Sequence, residues 1–571
     1  MKKYKIPYAV SNYAKLREEG FYYVDKTQFI EELEQYQAPV FLRPRRFGKS
    51  LLCTTLESYY DLNRADQFER LFADTYIGQH PTPAHNQYMV LHLDFSIVPV
   101  SEDISTLEQD FYQVINTRII SFAKTVYGSR FEGLSLTDTG KTSTILADIL
   151  DNISSKQLPR MYLIIDEYDN FTNQLLTGNK DTLYEDVTTA DSFLRTFFKV
   201  VKEGIKSNTI ATCFITGVLP MTMDDLTSGF NIAELITLQP RLTSMLGFTH
   251  AEVNTYLNAV FESYEFDKVI LPEIKKIIES NYDGYRFLPN AEPIYNSTIL
   301  TYFIKYFTIN DAEVPDELID ENVRTDLSWI KRLTLGEENA KEMLHQLLYE
   351  GTLSYNKSDL KSKFNKNQFF QKEFYSISLF YLGLTTIKDD YEMRLPNNTT
   401  RTIFIDYYNT LNKIDGMADR YVYIFKQFLK DKSLETLFQG YYKEYLSQFP
   451  AQSFDKINEN FVRSTFYELC GRYLSSGYTF AIEQNYPSGR CDWEMTGRPN
   501  TPPHKEKFII EFKYFKTKEI RKIKTLTEPY PEDRKQVENY AIDMLAEFPF
   551  LKIRKYVIYV MANKGYRLWE V

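Results

Sequence analysis

Short runs of apolar residues alternate with polar, helix-like stretches through the first part of the chain. The clearest runs lie at 40–42, 89–93, 162–165 and 210–215. Runs that are apolar at every position are typical of strands buried on both faces of a parallel sheet. A helix-like stretch such as 192–204 fits between two of these strands, as a parallel connection requires. Residues 1–245 are therefore predicted to form a parallel α/β core.

The pattern changes after Gly247, where the apolar runs give way to helical periodicity. Thr249 and Glu252 have the spacing of a capping box, in which each side chain bonds the other residue's backbone N–H at the start of a helix. A largely helical region follows. Residues 246–350 are predicted to form a helical lid.

Residues 351–445 have the order of elements expected of a winged helix. A helix-like stretch at 374–382 precedes two short strands at 383–387 and 393–396, which are separated by a polar turn. Another helix follows. Winged helices also serve as protein-contact modules, so this pattern does not by itself assign DNA binding.

The last part of the chain, 446–571, is predicted to form a second α/β domain. It opens with an amphipathic helix whose apolar positions include Val462, Phe466 and Cys470. Strands follow at 479–482, 507–512 and 556–560. The fold class expected for the chain is therefore multidomain α/β.

Composition narrows the class of protein. The chain has 571 residues, a formal net charge of -10 and 43% hydrophobic residues, which suits roughly three or four domains with proper cores. The net charge excludes a generally basic nucleic-acid binder and leaves only local patches for such contacts. Four widely separated cysteines favour a reducing compartment. No segment approaches about 20 apolar residues, so we expect a soluble, cytoplasmic protein without membrane contact.

A candidate phosphate loop follows the first predicted strand. Gly48-Lys49-Ser50 stands between this strand and a helix, where backbone N–H groups cradle phosphates while Lys and Ser reach the terminal phosphates and Mg²⁺. Arg43 occupies the position of the motif's first glycine, so a chance match stays open on this window alone. The candidate ATP-binding residues here are Arg46, Phe47, Gly48, Lys49, Ser50 and Leu51.

Two later strand ends supply what such a loop needs. The apolar run at 161–165 ends in Asp166 and Glu167. Asp166, with Ser50, is the candidate Mg²⁺ ligand, and Glu167 is the candidate base that polarises the attacking water. Thr216, at the end of the next apolar run, is a candidate for contact with the γ-phosphate. Arg241 is a weaker candidate for a trigger arginine.

A second constellation lies near the end of the chain. Asp492 and, nineteen positions later, Glu511 are followed by Lys513 in a stretch rich in strands. Alternate residues of a strand share a face, so the pattern gathers two carboxylates and a lysine at one edge of a sheet. The carboxylates are candidate Mg²⁺ ligands, and Lys513 is a candidate to steady the nucleophile or the scissile phosphate.

Supporting positions around this constellation are less specific. Gln536 and Tyr540 lie one helical turn apart, and Glu468 is a weaker candidate for an extra metal ligand. Residues 505–524 carry eight basic residues against three acidic ones. This local excess suits phosphate backbones, although a solvated loop has the same composition.

These motifs together resemble AAA-ATPase-like proteins fused to a C-terminal PD-(D/E)XK nuclease-like domain, a bacterial family. The stretches that carry the resemblance are 23–27, 43–50, 166–167, 247–249 and 282–287. In this family an arginine in place of the first glycine is normal, so Arg43 does not count against ATP binding. One departure is Asn296-Ser297, where the family has Asn-Pro.

The resemblance implies an ATP- and Mg²⁺-dependent enzyme that acts on nucleic acid, with DNA as the preferred substrate. The catalytic residues would be Glu167, Asp492, Glu511 and Lys513. A nucleotide-switched regulatory protein whose nuclease fold binds nucleic acid without cutting it remains the alternative. A homo-oligomer is expected only by analogy with ring- or dimer-forming motors.

Overall fold

The first domain is built on a parallel sheet. The computed structural model describes residues 3–137, 140–189, 191–226, 229–318, 327–334, 338–361, 364–415, 419–499 and 501–571. The strands of the first domain are β1 (Pro39–Leu42), β2 (Met89–Asp94), β3 (Met161–Asp166), β4 (Ile210–Gly217) and β5 (Glu234–Leu235). They are parallel and run in the order β2-β3-β4-β1-β5. The four strands expected from the apolar runs are confirmed, as is the α/β class.

The helices of this domain pack their apolar faces on the sheet and on one another. They are α1 (Tyr13–Glu18), α2 (Phe29–Leu33), α3 (Lys49–Tyr60), α4 (Phe68–Phe72), α5 (Tyr76–Gln79), α6 (Ile104–Ser121), α7 (Thr142–Ser155), α8 (Asn170–Thr177), α9 (Asp181–Thr188), α10 (Phe193–Lys206) and α11 (Met221–Asp225). In α10, Phe193, Phe197 and Val201 recur at helical spacing and are buried. This confirms the helix expected at 192–204. The main consequence for function is that α3 packs against β2 and β3, directly after the phosphate loop.

A helical region with its own core follows the first domain. Its helices are α12 (His250–Tyr264), α13 (Leu271–Tyr282) and α14 (Ser297–Ile309). The capping box is confirmed, because the Thr249 side chain accepts from the Glu252 N–H and the Glu252 carboxylate accepts from the Thr249 N–H. Val260, Ile274 and Leu300 belong to a hydrophobic cluster separate from the core of the rest of the chain.

A small antiparallel sheet lies in the third region. The elements are α15 (Leu327–Thr334), α16 (Glu338–Tyr349), β6 (Thr352–Ser354), α17 (Lys357–Lys361), α18 (Lys366–Phe369), α19 (Tyr375–Tyr381), β7 (Thr386–Ile387), β8 (Glu392–Arg394) and α20 (Asn398–Leu411). The strands run in the order β6-β8-β7. The helix and the two strands expected at 374–396 are present, and both strands are shorter than expected. The boundaries at 245, 350 and 445 stay predictions.

The C-terminal domain holds a mixed sheet. Its elements, with the two helices that lead into it, are α21 (Asp419–Asp431), α22 (Leu434–Gly440), α23 (Glu459–Leu474), β9 (Tyr478–Tyr486), β10 (Gly489–Gly497), β11 (Glu506–Phe515), α24 (Ile520–Ile523), α25 (Pro531–Glu547), β12 (Lys552–Met561) and β13 (Tyr566–Glu570). The order is β13-β12-β11-β10-β9, and only β11 and β12 pair in parallel. The helix α25 connects these two strands. Strand β13 was not foreseen, because polar residues interrupt it and leave no apolar run longer than two residues.

The phosphate loop also contacts the regions that follow the first domain. The ring of Phe47 packs edge-on against Tyr285 and Phe287 at centroid distances of 5.1 and 5.8 Å. The backbone of Arg286, between those two rings, bonds to Thr386 at the start of β7. The stretch 282–287, singled out in the sequence, therefore bridges the loop and the small sheet.

Candidate functional site

The loop between β1 and α3 has the backbone of a phosphate-binding loop. Gly48 caps α3 with φ +93°, a left-handed conformation that glycine adopts without a Cβ penalty. The backbone N–H groups of the first turn, beginning at Lys49, have no partners within their own helix. They therefore provide donors for an anion at the helix N-terminus.

Lys49 is buried and faces acidic groups. Its Nζ donates to the carbonyl oxygens of Arg43 and Pro44 at 3.0 and 3.1 Å. Burial lowers the pKa of Lys49, and the charges of Glu167 and Asp166 act in the opposite direction. The lysine therefore closes the loop on itself beside the end of β3.

Asp166 and Ser50 come together as the sequence indicates. Burial raises the pKa of the Asp166 carboxyl, and the Ser50 hydroxyl beside it acts in the opposite direction. The Oδ1 atom of Asp166 is buried and has no hydrogen-bond partner among the residues that the structure describes. A buried carboxylate oxygen without a partner, next to a hydroxyl, fits a divalent cation with oxygen ligands.

Glu167 occupies a strained position directly after β3. Its φ is +49°, which is uncommon for a residue with a side chain and recurs at functional sites. Its Oε2 accepts a hydrogen bond from Asn170 Nδ2 at 2.6 Å. The side chain lines the cavity described next, together with Lys49 and Ser50.

A cavity of about 260 Å³ lies above the phosphate loop. All six loop residues expected to bind ATP line it: Arg46, Phe47, Gly48, Lys49, Ser50 and Leu51. Its other walls come from the N-terminal segment, the segment before α12 and the start of α14, including Val10, Tyr23, Lys26, Thr27, Leu246, Phe248 and Thr301. These walls were not foreseen from the sequence. The family motifs at 23–27 and 247–249 contain Tyr23, Lys26, Thr27 and Phe248 and were the signals available for them.

The remaining predicted positions are placed differently. Thr216 is buried at the end of β4, but its Oγ1 donates to the Phe41 carbonyl at 2.8 Å. Contact with a γ-phosphate as a donor would require this bond to break. Arg241 is largely exposed, at 3.3 Å from Glu32 on the surface, and does not line the cavity.

Arg43 is a core residue of the first domain. Its guanidinium lies between the rings of Phe41 and Phe287, at 4.3 and 3.8 Å from their centroids. It donates to backbone carbonyls of Leu42, Thr237, Leu242 and Thr243. Burial lowers its pKa to about 9. The arginine in place of the first glycine therefore anchors the loop to the segment at 237–243 rather than facing the cavity.

The cysteines form no disulfide, and all four are buried. Cys53 lies one turn after Ser50 on α3 and offers its Sγ within 4.8 Å of ligand atoms of His92 and Asp166. His92 Nδ1 in turn lies 2.9 Å from Glu57 Oε2. A polar cluster therefore lies behind Asp166, which the spacing of the cysteines in the sequence did not reveal.

The C-terminal constellation is brought together at the edge between β10 and β11. Lys513 Nζ lies 2.6 Å from Glu511 Oε1 on the same strand. Asp492 Oδ2 accepts from the Phe512 N–H at 2.9 Å, which fixes its carboxylate against β11. The Oε2 atom of Glu511 is buried and has no partner in the described part of the chain. The two carboxylates and the lysine thus meet at one place.

The other oxygen of Asp492 is already paired. Arg463 Nη1 on α23 donates to Asp492 Oδ1 at 2.5 Å, and its Nη2 donates to Asn460 Oδ1 at 2.9 Å and Glu483 Oε1 at 2.7 Å. The side chain of Arg463 is only 5% exposed. No sequence signal pointed to this arginine, because nothing in its local pattern distinguishes it from a surface residue of an amphipathic helix.

Glu459, not Glu468, is the glutamate of α23 that approaches the metal-ligand candidates. Burial raises the pKa of Glu459 to about 7, and charges of Lys513 and Asp492 act on it. Glu468 instead pairs with Arg472, which also pairs with Asp406. The two glutamates are nine residues apart, or two and a half turns, so they lie on opposite faces of the helix. The expectation for Glu468 was wrong for this reason.

The charges at this site favour a cation. Burial raises the pKa of Glu511 to about 8, and the negative charges of Asp492 and Glu459 add to the effect. The pKa of Lys513 is raised despite its burial, mainly by Glu511. A buried carboxyl whose pKa is raised, with one unpartnered oxygen and two further carboxylates beside it, fits a site for a divalent metal ion.

The supporting positions have mixed outcomes. Gln536 Nε2 donates to Tyr540 Oη at 2.5 Å, and Tyr540 Oη donates to the Arg490 carbonyl at 2.7 Å, so α25 lies against β10 beside the site. Lys507, counted among the basic residues at 505–524, is buried and pairs with Glu494 at 2.7 Å. It therefore cannot contact a phosphate backbone from this position.

Comparisons with known proteins agree with this division of the chain. Residues 7–227 match the AAA-ATPase-like family model, described as "Predicted AAA-ATPase". Residues 457–570 match the model of the PD-(D/E)XK nuclease superfamily. The chain therefore combines an AAA-ATPase-like domain with a C-terminal domain of the PD-(D/E)XK superfamily, as the motifs indicated. These two domain types indicate use of a nucleotide and of a divalent metal.

Individual relatives are more distant. An uncharacterized protein in the vnfD 5′ region of Azotobacter chroococcum mcd 1 is 25% identical over 304 residues, which are 52% of this chain and 51% of the relative. The chain thus spans about half the length of that relative. The solved Walker-type ATPase PABY2304 of Pyrococcus abyssi is 13% identical, with a TM-score of 0.36, over 66% of this chain and 94% of that one.

In the part of the chain that the structure describes, no helix is both long enough and apolar enough to span a bilayer.

Proposed function

We propose that the chain hydrolyses ATP at its first domain and cuts nucleic acid, with DNA as the preferred substrate, at its C-terminal domain. The observation that carries the nuclease assignment is the meeting of Asp492, Glu511 and Lys513 around a buried, unpartnered Glu511 oxygen. Two neighbouring carboxylates, one with a buried oxygen that lacks a partner, are the ligands that a divalent metal ion requires, and a copy of the fold that does not cut has no use for them.

At the first domain, Lys49 and the N-terminus of α3 would hold the phosphates, and Ser50 with Asp166 would hold Mg²⁺. The ion would neutralise charge that develops on the transferred phosphoryl group. Glu167 lines the cavity and would orient the attacking water. Its bond to Asn170 fixes the direction of its carboxylate before a water arrives.

At the C-terminal domain, Asp492 and Glu511 would hold a divalent ion, with Mg²⁺ as the expected one. Such an ion activates water and stabilises charge on the scissile phosphate. Glu459 adds a third carboxylate that can ionise near neutral pH. Lys513 would place its ammonium at the phosphate or at the nucleophile, since Glu511 holds it in position.

The test is cleavage of labelled DNA by the full chain with Mg²⁺, with and without ATP, alongside ATP turnover. Asp492→Ala and Lys513→Ala are expected to abolish cleavage and leave ATP turnover, whereas Lys49→Ala is expected to stop ATP turnover. Cleavage by both C-terminal variants at the parent's rate would refute the site assignment.

One observation favours the non-cutting alternative. Both oxygens of Asp492 already have protein partners, Arg463 and the Phe512 N–H. A nucleotide-switched protein that binds nucleic acid without cutting would keep such a closed carboxylate. ATP turnover together with nucleic-acid binding, but no cleavage with Mg²⁺ or Mn²⁺, is the result that would favour it.

A further inference from the structure

Glu483, on β9, has a backbone conformation that is unusual inside a strand. Its φ is +57°, in the left-handed region that is unfavourable for a residue with a side chain. The ladder pairs on either side place it opposite Asp492 on β10. A strained residue that faces a candidate metal ligand is a reason to look for a function at that position.

Three guanidinium groups converge on the Glu483 carboxylate. Arg463, Arg490 and Arg401 lie 2.7, 3.4 and 3.6 Å from it. Burial raises the pKa of Glu483, but the arginine charges outweigh this effect and hold the pKa below its ordinary value. Because the arginines belong to α23, β10 and α20, one carboxylate ties three elements together beside Asp492.

Arg286 and Arg394 extend the positive charge outward. The backbone N–H of Arg286 donates to Thr386 Oγ1 at 2.5 Å. Thr386 on β7 is the ladder partner of Arg394 on β8. Both arginines therefore lie next to Thr386. Partial burial lowers the pKa of Arg394; the charge of Arg286 lowers it further, and Glu483 acts in the opposite direction. Arg394 nevertheless keeps an exposed side chain.

Arg490 joins this charge to the candidate metal site. It stands two residues before Asp492 on β10, and alternate residues of a strand share a face. Its side chain is 57% exposed although it lies 3.4 Å from Glu483. Tyr540 on α25 holds the backbone at this point. An exposed guanidinium therefore lies on the same face as the carboxylate.

We propose that Arg286, Arg394 and Arg490 form a binding surface for the sugar-phosphate backbone of nucleic acid that leads to Asp492. We call these three residues the arginine surface. The inference rests on the proposed function, and it adds that the substrate is held jointly by the lid, the small sheet and the C-terminal domain. Arg401 and Arg463 lie behind this surface, where Glu483 positions them.

The balance of charge at the arginine surface favours a polyanion such as the phosphodiester backbone of nucleic acid. Around Glu483 the cluster contains five arginines, Arg286, Arg394, Arg401, Arg463 and Arg490, against the two acids Glu483 and Asp283. Asp492 borders this cluster and belongs with Glu459 and Glu511 to the carboxylate site. This excess occurs on a chain whose net charge is -10, so it is local rather than general. A planar guanidinium group can donate two parallel hydrogen bonds to two oxygens of one phosphate. Here Arg394 and Arg490 project from strands, which hold them in a fixed geometry. The surface adjoins the carboxylates that would take the scissile phosphate.

The experiment measures binding apart from cleavage. Anisotropy of a labelled 30-base-pair DNA duplex is followed with the full chain in Ca²⁺, over a series of salt concentrations. The double variant Arg394→Gln/Arg490→Gln is expected to bind about 10- to 100-fold more weakly, and the slope of log K against log salt should fall by about two. Arg118→Gln, an exposed arginine of α6, is the matched control. Unchanged thermal unfolding of the double variant confirms its fold.

The outcomes separate this inference from the proposed function. If the parent binds DNA with the expected salt dependence but does not cut it in Mg²⁺, the cleavage proposal fails and the arginine surface stands. If the double variant keeps the parent's affinity and salt slope, the arginine surface is refuted, whatever the parent cuts. The arginine surface would also be refuted if the chain bound an acidic peptide more tightly than it bound DNA and RNA that share one base sequence.

Discussion

The Nζ atom of Lys513 lies 2.6 Å from Oε1 of Glu511, two residues before it on β11, and this bond satisfies only one of the two Glu511 oxygens. The neighbouring carboxylates of Asp492 and Glu459 leave the site short of positive charge. Burial and these charges raise the pKa of Glu511 to about 8. Ionisation of the site should therefore depend on a bound cation.

This relationship predicts a pH-dependent stabilisation by Mg²⁺. The folded-state pKa of Glu511 lies above its ordinary value of 4.5, so the folded chain binds the proton more tightly than the unfolded chain does. Without metal, stability contributed by Glu511 is present below pH 4.5 and is lost as pH rises towards 8. Metal binding requires the ionised carboxylate. The Mg²⁺-induced rise in unfolding temperature should therefore be larger at pH 8.5 than at pH 6, by about 2–4 °C.

Calorimetry of the full chain at the two pH values, with and without Mg²⁺, provides the measurement. Glu511→Gln, which has no charge to lose, is the control and should remove most of the difference between the pH values. An equal Mg²⁺ shift at pH 6 and pH 8.5 in the parent would contradict the prediction.

Arg43 is predicted to matter for stability. Arg43→Met keeps an unbranched side chain between the rings of Phe41 and Phe287 but removes the donors to four backbone carbonyls. Leaving buried acceptors unsatisfied should cost about 3 kcal/mol or more in the free energy of unfolding of the first domain. Urea unfolding measures this cost, and Arg118→Met serves as the exposed control. A loss in Arg43→Met no larger than in the control would show that the guanidinium is dispensable to the fold.

Local sequence was sufficient where the physics is local. The continuous apolar runs predicted β1 to β4 because a strand buried on both faces needs apolar residues at every position. Thr249 and Glu252 predicted the start of α12 through their mutual caps. Glu511 and Lys513 could be placed on one face because the side-chain period of a strand is two.

Long-range packing decided what the sequence could not predict. The choice between Glu459 and Glu468 depends on which face of α23 lies against the sheet, and both glutamates occupy plausible positions in the helix pattern. In the sequence, Lys507 has the pattern of a surface lysine. In the structure it is buried and pairs with Glu494 on the neighbouring strand. Arg463 reaches Asp492 only because α23 packs over the strands. Each contact joins residues from different elements.

Lys26, which lines the cavity above the phosphate loop, is predicted to be energetically coupled to Glu252. Lys26 Nζ lies 2.7 Å from Glu252 Oε2 and 2.9 Å from the Ser244 carbonyl, so the N-terminal segment is tied to the start of α12. Both side chains are mostly buried. A double-mutant cycle of Lys26→Met and Glu252→Gln should give a coupling of about 1–3 kcal/mol in unfolding free energy.

The exposed pair of Lys15 and Glu19, at 4.0 Å, is the matched control for this cycle and should show no measurable coupling. Lys26 also lines the cavity, so Lys26→Met is expected to weaken ATP binding by about tenfold, the effect of about 1.4 kcal/mol. Titration calorimetry with ATP checks this effect. If the effects of the two single variants simply add up in the double variant, the contact does not link the N-terminal segment to the start of α12.

Thr216 and Glu167 are predicted to contribute unequally to ATP turnover. Glu167 lines the cavity and is the candidate base, so Glu167→Gln should lower turnover by about 100-fold or more. The hydroxyl proton of Thr216 is engaged by the Phe41 carbonyl, so Thr216→Val should lower turnover by less than about tenfold while costing about 1 kcal/mol of stability. Thr216→Ser, which keeps the donor, is the control. Steady-state turnover at saturating ATP is the measurement. A loss in Thr216→Val as deep as in Glu167→Gln, restored in Thr216→Ser, would mean that the hydroxyl leaves Phe41 and serves the γ-phosphate, because only a contact made during the reaction gives so large an effect.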